Sequence, residues 1–232
     1  MAKHDDGAWP RDEEREALLR RIDDEYAETA QWTGKPEMDA RVRAALRNVP
    51  REDFVAPGSE DSAYANAALG IGFGQTISQP FIVAIMTDLL ELQPDSVVLE
   101  VGTGSGYQAA VLAEIARKVY SVEVIPELAA QAAERLKQHR YGNVAVRCSD
   151  GFAGWPEHGP YDAIIVTACA PEIPPPLVAQ LKPGGRMVIP VGRPYGHQDL
   201  TLVTKNADGT VAEKPILPVA FVPLVREKDR AV

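Results

Sequence analysis

Short, unbroken apolar runs alternate with longer helical segments through the middle of the chain. Short apolar runs bounded by turn residues are typical of strands that lie buried on both faces of a parallel sheet. The segments between them carry apolar residues at helical spacing, which predicts helices that cross from one strand to the next. The predicted strands are Val97–Val101, Lys118–Val124, Val144–Cys148, Tyr161–Thr167 and a fifth entered through the turn at Leu181–Pro190, with helices at Gln108–Arg117 and Pro126–His139. This alternation indicates an α/β fold with a doubly wound sheet.

The chain before the first predicted strand has a different pattern, with apolar residues at helical spacing in a charged background. This pattern predicts two amphipathic helices that cap the sheet, the second of which ends before Pro50. A third helix is predicted over Phe81–Leu92 and leads into the sheet. The segment Tyr64–Pro80 is apolar and rich in glycine, and we interpret it as a loop that covers a site. The apolar positions of the three helices are Leu18, Leu19, Ile22 and Tyr26; Val42, Ala45, Leu46 and Val49; and Ile82, Ile85, Met86, Leu89 and Leu90.

Three glycines alternate directly after the first predicted strand, at Gly102, Gly104 and Gly106. Glycine lets the backbone adopt positive φ and lets a ligand approach closely, and the free N–H groups of the following helix favour an anionic group. Dinucleotide-binding loops place the third glycine one residue later, where this chain has Tyr107. The pattern predicts a nucleotide-cofactor loop. Taken alone, it leaves a Rossmann oxidoreductase or a purely structural loop open.

Acidic residues occur around this loop and at the ends of the next two strands. Glu100 lies two residues before the first glycine and can complement positive groups on a ligand. Glu123 ends the second predicted strand, where an acid can accept both hydroxyls of a ribose. The pair Asp150-Gly151 follows the third strand. Acids in this order, at the spacing of strand–helix units, favour a cofactor site over solvated strand ends.

Composition narrows the class of partner. The formal net charge of −9 argues against nucleic acid as a general partner, because binding a polyanion requires a positive face. No stretch approaches the length of a membrane span, and Met1–Trp9 lacks the apolar core of a signal peptide. The two cysteines and four histidines show no metal-ligand spacing, so no metal is expected. We expect a cytoplasmic protein that does not bind membranes or nucleic acid.

The spacing Glu-x-Gly-x-Gly-x-Gly over residues 100–106 resembles motif I of the class I S-adenosylmethionine-dependent methyltransferases. The resemblance implies S-adenosyl-L-methionine as the cofactor and a Rossmann-like doubly wound sheet with an N-terminal helical cap. In such enzymes the pair that matches Asp150-Gly151 meets the adenine. The cofactor contacts that the resemblance implies are Gln79, Glu100, Gly102, Thr103, Gly104, Ser105, Gly106, Glu123, Val124, Asp150, Gly151 and Thr167.

The segment Gly74–Pro80, Gly-Gln-Thr-Ile-Ser-Gln-Pro, resembles the element before motif I in the protein-L-isoaspartate (D-aspartate) O-methyltransferases. The resemblance runs from about Met38 to Leu224 and leaves the N-terminal 35 residues outside the clear match. Two positions depart from the family pattern, because many members have Asp at Asn66 and Pro at Gly70. Further matching pieces are Val49–Val55, Tyr161–Ile164, Gln180–Arg186, Pro190–Gly192 and Phe221–Leu224.

This second resemblance implies methyl transfer to the free α-carboxylate of L-isoaspartyl and D-aspartyl residues in damaged proteins, which starts repair through a succinimide. Such a carboxyl has a pKa of about 3 to 4, so at neutral pH it is already the nucleophile and needs no general base. The family's active-site serine matches Ser78, whose hydroxyl we expect to donate to the substrate carboxylate; the alternative is a cap on the following helix. Main-chain groups are expected to hold the peptide edge to edge. The predicted substrate contacts are Ile71, Gly74, Gln75, Thr76, Pro190 and Val191.

Three other functions remain as alternatives. A methyltransferase that acts on a small-molecule carboxylate or hydroxyl shares the glycine loop and both strand-end acids. A nucleic-acid methyltransferase is disfavoured, because residues 167–171 read Thr-Ala-Cys-Ala-Pro and not an Asn-Pro-Pro-Tyr-like site. An inactive binding module is expected to have lost Ser78 or Glu123, and both are present. We expect a monomer in which residues 1–76 (N-terminal helices and substrate loop) and 77–232 (cofactor-binding domain) form one compact unit.

Overall fold

The computed structural model describes residues 11–226, which form one seven-stranded sheet with helices on both faces and a small two-stranded hairpin. The helices are α1 (Asp12–Thr33), α2 (Ala40–Asn48), α3 (Pro80–Leu89), α4 (Tyr107–Ala113), α5 (Pro126–Gln138) and α6 (Pro175–Ala179). The strands are β1 (Leu69–Gly72), β2 (Gln75–Ile77), β3 (Val97–Val101), β4 (Lys118–Glu123), β5 (Val144–Cys148), β6 (Tyr161–Val166), β7 (Leu181–Gly192), β8 (Gln198–Lys205) and β9 (Val211–Pro218). The prediction that Met1–Trp9 lacks the apolar core of a signal peptide concerns residues outside the described part of the chain.

The sheet has the order β5-β4-β3-β6-β7-β8-β9. Strands β3 to β7 pair in parallel, whereas β8 and β9 continue the sheet antiparallel to β7. The chain winds outward from β3 in one direction through β4 and β5, and then returns to its other side with β6. Ligands of open α/β sheets bind at such a reversal, beyond the carboxyl ends of the strands. The doubly wound fold expected from the sequence is confirmed.

The N-terminal helices pack as a cap against α3. Leu19, Ile22 and Tyr26 of α1 are buried almost completely, and the ring of Tyr26 meets Phe81 edge to face at 5.8 Å. The predicted amphipathic helices are therefore confirmed, with α1 ending at Thr33 and Gly34 in the left-handed conformation directly after it. In the part of the chain that the structure describes, no helix is both long enough and apolar enough to cross a membrane.

The interpretation of Tyr64–Pro80 as a loop without strands is wrong, because β1 and β2 form an antiparallel hairpin within it. The hairpin turns at Gly72-Phe73-Gly74, where all three residues have positive φ. Phe73 is at the exposed tip, where its side chain is 53% accessible. The strands are four and three residues long, too short to show a period in sequence.

Other parts of the fold also differ from the prediction. The helix after the glycine loop ends at Ala113, before the predicted end at Arg117. The turn predicted at Leu181–Pro190 is wrong, because β7 runs through it from Leu181 to its end at Gly192. Ala170 holds that end of the strand extended, since its N–H donates to the Pro190 carbonyl and its carbonyl accepts from the Gly192 N–H, each at 3.0 Å. Strands β8 and β9 were not predicted.

Candidate active site

A cleft of about 760 Å³ opens at the carboxyl ends of β3, β4 and β6, where the strand order reverses between β3 and β6. The glycine loop lines one side, and strand β2 with the following Ser78 lines another. We call it the inner cleft. Its lining residues are Gln75, Thr76, Ile77, Ser78, Val83, Val101, Gly102, Thr103, Gly104, Ser105, Tyr107, Gln108, Val122, Glu123, Val124, Ile125, Gly151, Thr167, Ala168, Val222, Pro223, Leu224 and Val225.

The backbone leaves no room for a side chain at two lining positions, Gly102 in the glycine loop and Gly151 after β5. Gly102 has a φ of 97°, and a Cβ built there would lie 2.5 Å from the Thr167 side-chain oxygen. That hydroxyl donates to the Gly102 carbonyl at 2.7 Å, so Thr167 at the end of β6 holds the loop in place. A Cβ on Gly151 would lie 2.5 Å from Val101. The two glycines therefore let the backbone pack closely around the inner cleft.

The Glu123 carboxylate faces the inner cleft from the end of β4, with 6% of the residue exposed. One oxygen accepts from the Gly104 N–H at 2.8 Å, and the other accepts from the Ile125 N–H at 3.0 Å. A carboxylate offers about four acceptor positions, so each oxygen can still accept from a ligand hydroxyl. The backbone thus fixes the carboxylate in an orientation that suits recognition of a diol.

Glu100, predicted as a direct cofactor contact, does not line the inner cleft. The residue is completely buried on β3, where the Ser121 hydroxyl donates to one of its oxygens at 2.5 Å and the other oxygen has no partner. Burial raises the pKa of Glu100 to about 8. Ser121 also shares a 2.5 Å hydrogen bond with Thr103, a lining residue. Glu100 therefore reaches the cleft only through Ser121 and Thr103.

A second cleft, of about 900 Å³, adjoins the first. We call it the outer cleft, and it is mostly apolar, with Ala68, Ile82 and Phe221 among its walls. Thr76 and Ser78 line both clefts. Its full lining is Ala68, Thr76, Ser78, Gln79, Ile82, Pro218, Val219, Ala220 and Phe221. A group bound in the inner cleft and a molecule in the outer cleft would meet at Ser78.

Several predicted contacts lie elsewhere. Gln79, expected at the cofactor, lines the outer cleft instead. Asp150 accepts from the Phe152 N–H at 2.9 Å, which leaves its neighbour Gly151 as the lining residue. Among the predicted substrate contacts, Gln75 and Thr76 line the inner cleft. The predicted contacts that line neither cleft are Ile71, Gly74, Glu100, Gly106, Asp150, Pro190 and Val191.

The Ser78 hydroxyl makes no hydrogen bond within the described residues, and no side chain of its own segment caps α3. The helix begins instead with Pro80, and the Asn66 side-chain oxygen accepts from the Phe81 N–H at 3.0 Å. Asn66, one of the two departures from the family pattern, therefore performs the capping that the sequence had suggested for Ser78. The Ser78 hydroxyl is left half-buried between the clefts.

Arg51 is a functional neighbour that the sequence did not single out. Its side chain is completely buried, and it donates to the carbonyls of Ala63 at 2.9 Å and Ser78 at 2.8 Å. The guanidinium lies 4.8 Å from the ring centre of Tyr107, which lines the inner cleft. Burial lowers the pKa of Arg51 from its usual value. In the sequence, Arg51 was noted only as part of the matching piece Val49–Val55, with no sign of its role.

The C-terminal segment Val222–Val225 forms a further wall that the sequence did not predict. The Cys169 N–H donates to the Val222 carbonyl, and the Leu224 N–H donates to the Cys169 carbonyl, each at 2.8 Å. These bonds hold the segment beside the end of β6, across from the glycine loop. Within residues 11–226, no group of three or more His, Cys, Asp or Glu side chains is arranged to hold a metal ion.

The family model and the relatives that match this chain all carry the same family name. Residues 33–229 match the family model described as protein-L-isoaspartate(D-aspartate) O-methyltransferase. The chain is 59% identical over 201 residues to a protein-L-isoaspartate O-methyltransferase 2 from Polaromonas sp., covering 87% of this chain and 95% of that protein. It is 56% identical over 210 residues to the protein of the same name from Syntrophobacter fumaroxidans, covering 90% and 85%.

Solved structures agree with these relatives. A structure named protein-L-isoaspartate O-methyltransferase superposes with a TM-score of 0.79 at 27% identity, covering 92% of this chain and 66% of that one. A Plasmodium falciparum structure of the same description, in complex with S-adenosyl-L-homocysteine, has a TM-score of 0.73 at 24% identity and shows the shared fold. It covers 93% of this chain and 98% of that one. On the extent of the family match and the identity to its relatives, the chain belongs to the protein-L-isoaspartate(D-aspartate) O-methyltransferase family.

Proposed function

We propose that this protein transfers a methyl group from S-adenosyl-L-methionine to the free α-carboxylate of L-isoaspartyl and D-aspartyl residues, which initiates repair through a succinimide. The observation that carries the proposal is the position of Ser78 and Thr76, which line both the inner and the outer cleft. A two-substrate reaction requires two sites that meet at one point. The family membership supports the same reaction.

The inner cleft fits S-adenosyl-L-methionine. The glycine loop brings backbone groups close to the bound molecule at positions where a Cβ would intrude. Glu123 would hold the ribose hydroxyls, Gly151 would pass beside the adenine, and Gly102 and Gly104 would contact the amino-acid part. When bound, the sulfonium of this molecule supplies an electrophilic methyl group.

The residues at the junction have little proton transfer to perform, because the substrate carboxylate is ionised near neutral pH. Among residues 11–226, no histidine lines either cleft. We assign Ser78 the role of donating a hydrogen bond to one carboxylate oxygen, which leaves the other oxygen free to attack the methyl carbon. A single fixed donor orients the nucleophile without neutralising it, and such alignment is a large part of the rate gain available to this reaction.

The outer cleft would hold the peptide that carries the damaged residue. Its apolar walls, Ala68, Ile82 and Phe221, can cover an extended chain without selecting a particular sequence. Of the contacts expected from the sequence, we retain Thr76, which lines both clefts, as a peptide contact and add Gln79, which lines the outer cleft. Covering the junction from both sides would also exclude water that competes for the methyl group.

We further propose that the protein acts in the cytoplasm as a monomer on isoaspartyl peptides and proteins, without nucleic acid or a membrane as partner. The two free cysteines fit a reducing compartment, and the net charge of −9 opposes binding to polyanions. Residues 1–76 and 77–232 would act as one compact unit. The ring contact between Tyr26 and Phe81 supports this, because it joins the two parts inside the core.

The experiment that tests the function uses two peptides of identical sequence, one with a normal aspartyl bond and one with an isoaspartyl bond. Each is incubated with the protein and radiolabelled S-adenosyl-L-methionine. We expect base-labile methyl transfer to the isoaspartyl peptide alone. Equal transfer to both peptides would contradict linkage recognition. Cofactor binding with transfer to neither would favour a small-molecule carboxylate or hydroxyl as the acceptor.

A further inference from the structure

The helix α1 lies almost entirely outside the part of the chain that the family model matches, which begins at residue 33. It nevertheless packs against α3, the helix that begins directly after the Ser78 segment. One face of α1 supplies the buried core residues Leu19, Ile22 and Tyr26. Beside this apolar face, Glu25 extends a carboxylate toward the residues that follow Ser78.

Glu25 makes contacts on both sides of that segment. The Asn66 side-chain amide donates to one oxygen of the Glu25 carboxylate. The Gln79 side-chain nitrogen lies 3.4 Å from both carboxylate oxygens. On its other side, Asn66 accepts from the Phe81 N–H at 3.0 Å. A single carboxylate on α1 is thus joined to the residue directly after Ser78 and, through Asn66, to the first turn of α3.

The orientation of Asn66 depends on this carboxylate. Its oxygen is needed by the Phe81 N–H, one of the first-turn donors that have no partner within the helix. Its nitrogen must therefore point the other way and find an acceptor, which Glu25 provides. Partial burial raises the pKa of Glu25, Glu28 adds to that effect, and the Asn66 hydrogen bond opposes it. The donor on Asn66 is therefore matched to the charged form of its partner.

We propose that Glu25 is a positioning residue for methyl transfer, which holds the Ser78–Phe81 segment at the junction of the two clefts through Asn66 and Gln79. The proposal rests on the function given above, since it assigns Glu25 to the same site. It makes α1 part of the active-site architecture of this protein. Glu25 lines neither cleft, so its effect is on the alignment of Ser78 and not on direct contact with substrate.

The test exchanges the hydrogen-bond donor and acceptor between the side chains at positions 25 and 66. In Asn66→Asp, two carboxylates face each other, and the kcat for the isoaspartyl peptide should fall about tenfold or more. In the double variant Glu25→Gln with Asn66→Asp, the glutamine amide can donate to the new carboxylate, whose other oxygen still accepts from Phe81. The kcat should then return to within about threefold of the unmodified protein.

Two readouts separate positioning from a merely structural role. The affinity for S-adenosyl-L-homocysteine, measured by calorimetry, should change less than about twofold in all variants, because Glu25 does not line the inner cleft. Hydrogen exchange of residues 76–81 should accelerate in Asn66→Asp and slow again in the double variant. The matched control is Glu13→Gln, the same change at an exposed position in the first turn of α1, which should leave kcat and exchange unchanged.

The proposal fails if the double variant is no more active and no better protected than Asn66→Asp. It also fails if cofactor affinity falls in parallel with kcat, which would indicate general destabilisation. Should the unmodified protein methylate neither peptide, the proposed function would be wrong. The exchange of residues 76–81 would still decide whether Glu25 holds the segment, so the two failures are distinguishable.

Discussion

The buried guanidinium of Arg51 donates a 2.8 Å hydrogen bond to the main-chain carbonyl of Ser78. The same guanidinium also donates to Ala63 and lies against the ring of Tyr107. One cation therefore joins the backbone of the proposed active-site residue to a wall of the inner cleft. Arginine suits this position because its planar group presents several donors in fixed directions, whereas lysine presents one ammonium.

Replacing Arg51 by lysine should therefore destabilise the fold. The single ammonium of lysine cannot satisfy the carbonyls of both Ala63 and Ser78. A buried acceptor without a partner costs about 1–3 kcal/mol. We expect the free energy of unfolding to fall by about 2–3 kcal/mol in urea titrations. The control is Arg47→Lys at an exposed ion pair with Glu16, which should change it by less than about 0.5 kcal/mol. Equal effects at both positions would contradict the role of Arg51.

Ser78→Ala should reduce turnover without loosening the cofactor. A hydrogen bond to a charged group contributes about 1.5–3 kcal/mol, so kcat for the isoaspartyl peptide should fall about 10- to 150-fold. Because Ser78 caps nothing in the described structure, the unfolding midpoint should stay close to that of the unmodified protein. Steady-state kinetics and a urea titration check both parts, with exposed Ser62→Ala as the matched control. Unchanged kinetics would remove Ser78 from the mechanism.

Glu123→Gln should weaken cofactor binding. The carboxylate accepts from two backbone N–H groups, and an amide has only one oxygen, so its nitrogen would face a donor. We expect the affinity for S-adenosyl-L-homocysteine, measured by calorimetry, to fall by about 1–3 kcal/mol. Glu127→Gln, an exposed position in the first turn of α5, is the matched control. Equal affinity of Glu123→Gln and the unmodified protein would show that β4 does not supply the ribose contact.

Glu100→Gln should change how stability depends on pH. Burial raises the pKa of Glu100 to about 8, above the value of about 4.3 for an unfolded chain. Between these values the folded state holds a proton that the unfolded state has lost, so this residue lowers the free energy of unfolding as pH rises. Glutamine resembles the protonated acid and removes the effect.

The measurement is the difference in free energy of unfolding between Glu100→Gln and the unmodified protein, taken at pH 5 and pH 7. All other titrating groups are shared and cancel in that difference. From pH 5 to pH 7, the difference in free energy of unfolding should shift in favour of the variant by on the order of 2 kcal/mol. A constant difference across this range would mean that Glu100 is ionised in the folded protein.

The parallel core of the fold could be predicted from sequence because its signals are local. The run at Val97–Val101 is apolar because β3 is buried on both faces, and the glycines after it are required by backbone geometry. Strand β9 gave no such signal, since most of its residues are exposed and no alternation separates its two faces. The β1–β2 hairpin was missed because its strands are too short to establish a period.

The site residues that could be predicted from sequence are those whose position follows from the strand that they end or follow. Glu123 and Thr167 follow strands, and the topology of the sheet brings both to the inner cleft. Arg51 is different, because its partners Ala63 and Ser78 lie 12 and 27 residues away, and an arginine in a short helical turn otherwise indicates an exposed position. Glu25 is likewise joined to Asn66 across 41 residues. Such contacts depend on tertiary packing and leave no local pattern.

The wall formed by Val222–Val225 has a consequence for the order in which the protein becomes functional. On the ribosome, the glycine loop and the strands beside it emerge long before this segment, which comes last among the lining residues. The half-made chain therefore lacks one side of the inner cleft. A ligand that binds only the finished fold stabilises it by mass action. A methyl donor bound in the inner cleft would therefore stabilise the fold fully only once Val222–Val225 is in place.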